Sequence, residues 1–248
     1  MTVSIITATY NSASTVADTI ISVNQQSYPH IEHLIVDGLS KDNTLEIIKN
    51  VGHAGKVICE KDDGIYDAMN KGIAYVTGEI IGILNSDDFY PSNDVIEKVV
   101  EVFKSTECDA VYGDLLYIDG GDTKKIVRRW VSGGYKKKNF LYGWMPPHPT
   151  FFVRKSVYER YGSFNLQLKS AADYELMLRF LYKYSIKASY LGAVLVHMRT
   201  GGQSNSSLYN RIKANKEDRL AWSINGLKSN WYTLYLKPIR KISQFFNK

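Results

Sequence analysis

Two adjacent carboxylates follow a strongly apolar segment of the chain, an arrangement suited to binding a hard cation. Asp87 and Asp88 close the sequence Asn85-Ser86-Asp87-Asp88, directly after the apolar residues 80–84. Neighbouring carboxylates repel each other and raise each other's pKa unless a cation joins them. Mg²⁺ and Mn²⁺ bind one or two carboxylates and complete their coordination with phosphate oxygens and water. The alternative is that the pair, lying before Pro91-Ser92, caps a helix or forms a turn.

Three further carboxylates lie where they could bind a substrate or take part in catalysis. Asp37 and Asp62 each follow a predicted strand, and a carboxylate there can accept hydrogen bonds from a nucleotide base or a ribose. The alternative for Asp37 is a turn residue before Gly38. Asp173 opens a predicted helix, where it could take the proton of an attacking hydroxyl group. The alternative for Asp173 is that it only complements the helix dipole.

Two cationic or titratable residues lie in loops. His148, in the proline-rich loop 144–149, could meet a phosphate or a metal ion, or simply hydrogen-bond the backbone. Arg199 opens the polar segment 199–204, which could close over a diphosphate with Arg199 as a cationic clamp. That segment could equally be an ordinary surface loop.

The elements that must position these residues alternate between strand and helix over the first ~115 residues. Apolar, β-branched segments predict strands at 3–7, 33–37, 56–59 and 79–84, with helical spacing of apolar residues between them. Repeated β-α units predict an α/β fold with a mostly parallel sheet and helices on both faces. Because ligands bind beyond the carboxyl ends of such strands, we expect the acidic residues to share one rim.

The second half of the sequence is less regular. It predicts strands at 111–118 and 124–130 joined by a turn at Gly120-Gly121, a short strand at 150–153, a helix at 172–184 and a last strand at 191–197. The turn follows from the conformational freedom of paired glycines.

Composition and charge narrow the function classes. The net charge is +6, yet no nucleic-acid-binding motif is recognisable, so we expect no nucleic acid partner. Two cysteines are too few for a disulfide scaffold and fit a reducing cytoplasm. Its first residues lack a basic region and a long apolar core, and no apolar stretch is long enough to span a membrane, so we expect neither a signal peptide nor a spanning helix.

The C-terminal segment is both basic and aromatic. Residues 228–248 contain five cations and no acid, interleaved with aromatic and aliphatic residues such as Trp231, Tyr232 and Leu236. Such a segment can lie in a bilayer interface, which predicts contact with an anionic membrane surface. The alternative is an arm that packs on the domain.

Five motifs, in this order, resemble those of the family 2 glycosyltransferases with the GT-A fold, over about residues 1–205. Ala172 stands where that family usually has Glu, and the third motif is typical of bacterial surface-polysaccharide members. The motifs are Thr7-Ala8-Thr9-Tyr10-Asn11, Asp37-Gly38-Leu39-Ser40-Lys41-Asp42-Asn43-Thr44, Asp62-Asp63-Gly64-Ile65-Tyr66-Asp67-Ala68-Met69-Asn70-Lys71-Gly72, Asn85-Ser86-Asp87-Asp88 and Ala172-Asp173.

The resemblance implies a GT-A-like, Rossmann-type mixed sheet in a domain over 1–205. The sequence of the tail itself predicts a basic, aromatic and helical arm over 206–248. Residues 1–115 would form the nucleotide-binding half and residues 116–205 the acceptor half. Asp173 would be the catalytic base, and Asp87, Asp88 and His148 would hold Mn²⁺ or Mg²⁺. The residues implied to bind the nucleotide sugar are Thr7, Thr9, Asn11, Asp37, Asp62, Asn70, Lys71, Asp87 and Arg199.

The implied activity is an inverting transfer of a hexose, glucose or galactose, from a UDP-sugar donor. The implied acceptor is a polyprenyl-diphosphate-linked N-acetylhexosamine of O-antigen or capsule assembly. The enzyme would then work in the cytoplasm, peripherally on the inner face of a bacterial cell membrane. The alternatives are a sugar nucleotidyltransferase, which the lack of a Gly-rich basic loop after the first strand disfavours, and a non-catalytic nucleotide-sugar binder, which the intact acidic residues disfavour.

Overall fold

A computed structural model of the chain describes residues 1–201, 208–233 and 236–237. The predicted loop residues 202–204 and most of the predicted interfacial segment, residues 234–235 and 238–248, lie outside the described residues. The described residues form one eight-stranded sheet. Its strands are β1 (Val3–Thr9), β2 (Ile31–Asp37), β3 (Lys56–Cys59), β4 (Ile80–Ile83), β5 (Ala110–Ile118), β6 (Ile126–Trp130), β7 (Phe152–Arg154) and β8 (Ala188–Arg199).

Helices connect most of these strands. The α-helices are α1 (Val16–Asn24), α2 (Thr44–Asn50), α3 (Ile65–Tyr75), α4 (Val95–Ser105), α5 (Lys155–Tyr161), α6 (Ala172–Met177) and α7 (Leu208–Ile224). A π-helical turn, Leu178–Lys183, continues α6, and two 3₁₀ helices occupy Lys137–Tyr142 and His148–Thr150.

The direction of the strands determines which residues meet at one edge. The sheet order is β3-β2-β1-β4-β7-β5-β6, and β8 pairs with β5. Strands β1 to β4 are mutually parallel, β7 is antiparallel to both β4 and β5, and β8 is parallel to β5. Six of these strands therefore run the same way, and their carboxyl ends form one rim, hereafter the carboxyl rim.

Alternation along the strands supplies a core on each face of the sheet. Ile6 and Ala8 pack with Met69 and Ile73 of α3, whereas Val3 and Ile5 pack in the cluster that contains α4. Successive side chains of a strand point to opposite faces, so a strand buried on both faces is apolar throughout. The predicted mixed α/β fold, mostly parallel with helices on both faces, is confirmed.

Several details differ from the sequence-based expectation. The predicted helix at 172–184 begins at Ala172, but it changes from α-helical to π-helical geometry at Leu178. The 3₁₀ helix Lys137–Tyr142 and the short helix α5 were not expected, because neither is long enough to show helical periodicity. Strand β5 spans residue 115, so the two predicted halves of the domain share one sheet, and their division into a nucleotide-binding and an acceptor half stays a prediction.

The described part of the C-terminal arm packs on the domain. Ala221, Trp222 and Thr233 are buried, and the hydroxyl of Thr233 donates to the Leu141 carbonyl at 2.7 Å. No helix within the described ranges is long and apolar enough to cross a membrane.

A buried ion pair joins α6, the segment after α5, and α7. Arg179 contacts the Glu175 carboxylate at 2.9 and 3.1 Å and also donates to backbone carbonyls of residues 161–163. Asn225 of the arm donates to the same carboxylate at 2.9 Å. Glu175 is 1% exposed, so its charge depends on these donors.

Replacing Arg179 tests this network. We expect Arg179→Ala to lower the free energy of unfolding by about 3–5 kcal/mol, because it leaves the Glu175 charge buried without its cation. Lys98→Ala, which removes an exposed ion pair with Asp94, is the matched control and should leave stability nearly unchanged. Chemical denaturation measures both, and equal effects of the two substitutions would contradict this account.

Candidate active site

The carboxyl rim collects polar side chains from six strands. Its members are Thr9 at the end of β1, Asp37 of β2, Asp62 after β3, Asp87 and Asp88 after β4, Tyr117 of β5 and Arg199 of β8. The parallel direction of these strands brings residues far apart in sequence to one edge. Contacts between the loops then show how closely they meet.

Asp87 and Asp88 differ in exposure. Asp88 is fully buried; its Oδ2 accepts from the Asn85 amide at 2.9 Å, and its Oδ1 accepts from the Arg199 backbone N–H at 3.3 Å. Burial and the neighbouring Asp87 charge raise the pKa of the Asp88 carboxyl well above its ordinary value. Burial also raises the pKa of Asp87, which is only half-buried, and the nearby Arg199 opposes that rise.

Arg199 is fixed in place by the rim. Its guanidinium donates to the Asp87 carbonyl at 2.8 Å and pairs with the Asp18 carboxylate of α1, and it lies over the Phe89 ring. It is the last residue of β8 and is 7% exposed. The sequence suggested a clamp in a mobile loop, but in this structure Arg199 braces the Asp87-Asp88 loop against β8 and α1.

The loops after β1, β2 and β4 are bonded to one another. The Asn11 side chain accepts from the Lys41 N–H at 2.8 Å, and the Asn11 N–H donates to Ser40 at 2.8 Å. Ser40 in turn donates from its N–H and hydroxyl to the Asp37 carboxylate. The hydroxyls of Ser12 and Ser86 lie 2.8 Å apart, which links the first loop to the Asp87-Asp88 loop.

Asp62 lies directly against the end of β2. A methyl group added at Gly38 would come within 2.3 Å of the Asp62 Oδ2 atom, so only glycine leaves room for this carboxylate. Asp62 also accepts from the Gly64 N–H at 2.9 Å. Beside them Thr9, paired in register with Asp37, has a buried hydroxyl with no hydrogen-bond partner in the described part of the chain. A buried hydroxyl in that state is a candidate ligand-binding group.

The other side of the rim carries Asp173. The Tyr66 hydroxyl donates to the Asp173 Oδ1 atom at 3.1 Å, which joins the segment that begins at Asp62 to helix α6. Burial, and then the Asp173 charge, raise the pKa of the Tyr66 phenol. Burial lowers the pKa of His148, and the Asp173 charge opposes that shift, so His148 also lies near this carboxylate.

Tyr117 lies near both acidic centres. It pairs in register with Met198, next to Arg199, and the Arg128 guanidinium lies 3.8 Å from its ring centre. Burial is the main cause of the raised pKa of the Tyr117 phenol, and the charges of Asp88 and Asp173 both contribute to it. Tyr117 is thus within electrostatic reach of both carboxylates.

Three of the residues that the resemblance implies bind the nucleotide sugar have side chains that bond other groups of the protein instead. The Thr7 hydroxyl lies 3.1 Å from the His33 ring nitrogen, within the sheet rather than at its rim. The Asn70 amide bonds both the N–H and the carbonyl of Phe164 at 2.9 Å. Lys71 pairs with Glu60 at 3.2 Å and Asp67 at 3.4 Å. In this structure Thr7 thus joins two strands, Asn70 fixes the backbone at Phe164, and Lys71 pairs with acids on either side of the third motif's start.

The predicted three-residue metal set is not assembled. Within residues 1–201, 208–233 and 236–237, no three His, Cys, Asp or Glu side chains are grouped closely enough to hold one metal ion. His148 packs instead against Phe164, near Asp173. The two adjacent carboxylates, Asp87 and Asp88, still suit a divalent cation, because a cation would offset the burial that raises both pKa values and the Asp87 charge that adds to the rise at Asp88.

The sequence reasoning missed three residues of this rim. Tyr66 lies within the third motif, but only the fold brings it to Asp173, 107 positions away. Tyr117 could have been found by applying the strand-end rule to the second half of the chain. Asp18, on α1, gave no signal, because a helical acid is ordinarily a solvated surface residue.

Comparisons with known proteins agree with the fold. Residues 4–162 match the family model described as "Glycosyl transferase family 2". A "PGL/p-HBAD biosynthesis glycosyltransferase" of Mycobacterium tuberculosis is 28% identical over 209 residues, covering 82% of this chain and 79% of the relative. An "uncharacterized glycosyltransferase" of M. tuberculosis is 31% identical over 185 residues, covering 72% of this chain and 68% of the relative.

Solved structures share the architecture at low identity. Staphylococcus aureus TarS 1-349, in complex with UDP-GlcNAc, aligns with a TM-score of 0.71 and 16% identity over 100% of this chain and 72% of that one. The Pyrobaculum calidifontis mannosyltransferase PcManGT, in complex with GDP-Man and Mn²⁺, aligns with a TM-score of 0.68 and 18% identity, over 95% of this chain and 68% of that one. Together with the matched family model, which spans most of the sheet, these results identify the chain as a member of glycosyl transferase family 2, a GT-A-type glycosyltransferase.

Proposed function

We propose that this enzyme transfers a hexose, glucose or galactose, from a UDP-sugar to a hydroxyl group of a polyprenyl-diphosphate-linked N-acetylhexosamine, with inversion at the anomeric carbon. The product would serve O-antigen or capsule assembly at the cytoplasmic face of a bacterial membrane. The observation that carries the proposal is the 3.1 Å hydrogen bond between Tyr66 and Asp173, which attaches a candidate base to the segment that begins at Asp62.

The donor assignment rests on the side of the rim that carries Thr9, Asp37 and Asp62. The Thr9 hydroxyl, which has no partner among the described residues, can donate or accept a hydrogen bond to a nucleoside. The half-buried Asp62 carboxylate can accept one, as acidic residues at strand ends do in related folds. Asp37 holds the loop through Ser40 and so shapes this site. TarS was solved with UDP and with UDP-GlcNAc, which supports a uridine nucleotide here.

Asp87 and Asp88 would hold the cation, for which Mn²⁺ and Mg²⁺ are the candidates. A divalent ion bound there would offset the negative charge of the diphosphate leaving group. The half-buried Asp87 is the more accessible of the two, while Asn85 and the Arg199 N–H fix Asp88 behind it. The Mn²⁺ complex of PcManGT supports a metal-dependent reaction.

Asp173 would act as the general base. The acceptor oxygen attacks the anomeric carbon on the face opposite the diphosphate, and its proton passes to an Asp173 carboxylate oxygen. The bond between the anomeric carbon and the phosphate oxygen breaks, and its electron pair leaves with UDP. Tyr66 holds one carboxylate oxygen of Asp173 by its hydroxyl group, which orients the other oxygen for proton transfer.

The membrane part of the proposal rests on an exposed aromatic surface, hereafter the aromatic patch, made of Tyr142, Trp231 and Tyr232. Trp231 is 81% exposed and lies edge-on to Tyr232, which stacks on Tyr142 at 6.0 Å between ring centres. Lys136 and Lys138 are exposed nearby in sequence to Tyr142. Tryptophan and tyrosine favour the bilayer interface, and lysines are attracted to anionic lipids.

The patch also lies within reach of the site. Only six peptide units separate Tyr142 from His148, so these residues are at most about 22 Å apart. A lipid-linked acceptor embedded in the bilayer could therefore extend from the patch to Asp173.

The central experiment incubates the protein with a panel of UDP-sugars, Mn²⁺ and a synthetic lipid-diphosphate acceptor, and identifies products by mass. We expect transfer from UDP-glucose or UDP-galactose and its loss when the metal is chelated. Asp173→Asn should lower kcat by about 10²–10⁴-fold, the usual contribution of a general base, while UDP binding is retained. Full activity of Asp173→Asn, or no product from any UDP-sugar, would refute the assignment.

Gly38→Ala tests the donor side of the rim. The added methyl would displace the Asp62 carboxylate, so we expect UDP affinity to fall by about 10–100-fold, as for a lost hydrogen bond to a charged group. Gly134→Ala is the matched control, because no atom lies within 4 Å of its added methyl. Calorimetric titration with UDP measures both affinities; unchanged affinity of Gly38→Ala would remove Asp62 from the donor site.

Vesicle co-sedimentation tests the aromatic patch. Wild-type protein should sediment with vesicles containing phosphatidylglycerol more than with phosphatidylcholine alone. The double variant Lys136→Ala/Lys138→Ala should bind about 30-fold more weakly, since each lysine near an anionic surface contributes about 1 kcal/mol. Trp231→Ala should also weaken binding, whereas Lys104→Ala on α4 should not. Equal sedimentation of all variants would exclude this surface as the attachment site.

A further inference from the structure

A carboxylate from the C-terminal arm caps the helix that carries Asp173. The Glu217 Oε2 atom accepts from the backbone N–H of Ser170 at 2.6 Å and of Ala171 at 3.0 Å. Helix α6 begins at Ala172, and Ala171, at its N-cap, has no side chain able to hydrogen-bond the free N–H groups of the first turn. Glu217 therefore fixes the chain where it enters the helix, two residues before Asp173.

The residues that follow Asp173 are held by the same arm. Trp222 donates its indole N–H to the Tyr174 hydroxyl at 2.9 Å, and Asn225 donates to the Glu175 carboxylate at 2.9 Å. The Lys237 ammonium lies 3.8 Å from the centre of the Tyr174 ring. The arm thus holds the chain on both sides of Asp173, through backbone N–H groups before it and through side chains after it.

The arm and the carboxyl rim fix Asp173 from two sides. Tyr66, from the donor side, holds the Asp173 carboxylate, while Glu217 holds the backbone that carries it. Glu217 lies close enough for its charge to add to the raised pKa of the Tyr66 phenol, after the larger effects of burial and Asp173. Displacing a reacting group by about 1 Å can lower a rate by about 10²-fold, so this anchoring matters for the reaction.

We propose that Glu217 is a positioning residue for the transfer reaction, and that the C-terminal arm sets the position of the general base by capping helix α6. This inference rests on the proposed role of Asp173 as the base. Glu217 would touch neither the donor nor the acceptor, so its loss should change kcat and leave nucleotide binding alone.

Two substitutions at Glu217 separate positioning from general stability. Glu217→Ala removes both hydrogen bonds; we expect kcat to fall about tenfold or more, with unchanged UDP affinity by calorimetry. Glu217→Gln keeps an oxygen that can accept from Ser170 and Ala171, so kcat should return to near the wild-type value. Glu101→Ala, an exposed glutamate on α4, is the matched control and should behave as wild type.

Amide hydrogen exchange gives a readout that does not depend on activity. The N–H groups of Ser170 and Ala171 should exchange severalfold faster in Glu217→Ala than in wild type or Glu217→Gln. Unchanged exchange, or faster exchange with unaltered kcat, would overturn the positioning role, as would parallel losses of kcat, UDP affinity and melting temperature. If the wild-type protein transfers no sugar while Glu217→Ala still speeds the amide exchange of Ser170 and Ala171, Glu217 holds the start of α6 as described and the proposed function is wrong.

Discussion

The common direction of six strands is the constraint on which the site depends. Because β1 to β4, β5 and β8 all end at one edge, residues from Thr9 to Arg199 meet there without any long loop having to reach across the sheet. This arrangement also concentrates negative charge, which is unfavourable, because Asp87 and Asp88 are adjacent and Asp88 is buried. The Asn85 amide and the Arg199 N–H stabilise that charge in part. The remaining negative charge would attract a cation, and a bound cation would in turn attract the diphosphate of the proposed donor.

Much of the fold could be predicted from the sequence, because the spacing of apolar residues shows which faces of a strand or helix are buried. Strands buried on both faces, such as β1 and β4, are continuous apolar segments, and the strand-end rule then predicts where Asp37, Asp62 and Asp88 lie. The β5–β6 hairpin was also predictable, since a glycine pair separates two strand patterns. The short helix α5 carries too few buried positions to show a period.

The partners that each side chain bonds could not be predicted, because a motif gives the position of a residue but not the direction of its side chain. Asn70 and Lys71 lie in a motif beside Asp62, yet Asn70 holds the Phe164 backbone and Lys71 pairs with Glu60. Thr7 and Thr9 are two residues apart on one strand, and the partner that Thr7 finds in His33 is what distinguishes them. Glu217 lies 47 residues from Ser170, so no local pattern could associate it with Asp173.

The location of the arm has a consequence for how the proposed base could be controlled. The segment that carries Glu217 and Trp222 against α6 also carries Trp231, which is exposed to solvent. Only nine peptide units separate Trp222 from Trp231, and Thr233 is bonded to the 3₁₀ helix that ends at Tyr142. A short segment therefore connects the aromatic patch to the residues that hold the helix carrying Asp173. Because the arm contacts residues on both sides of Asp173, we expect the position of the proposed base to respond to binding at the surface that we propose contacts the membrane.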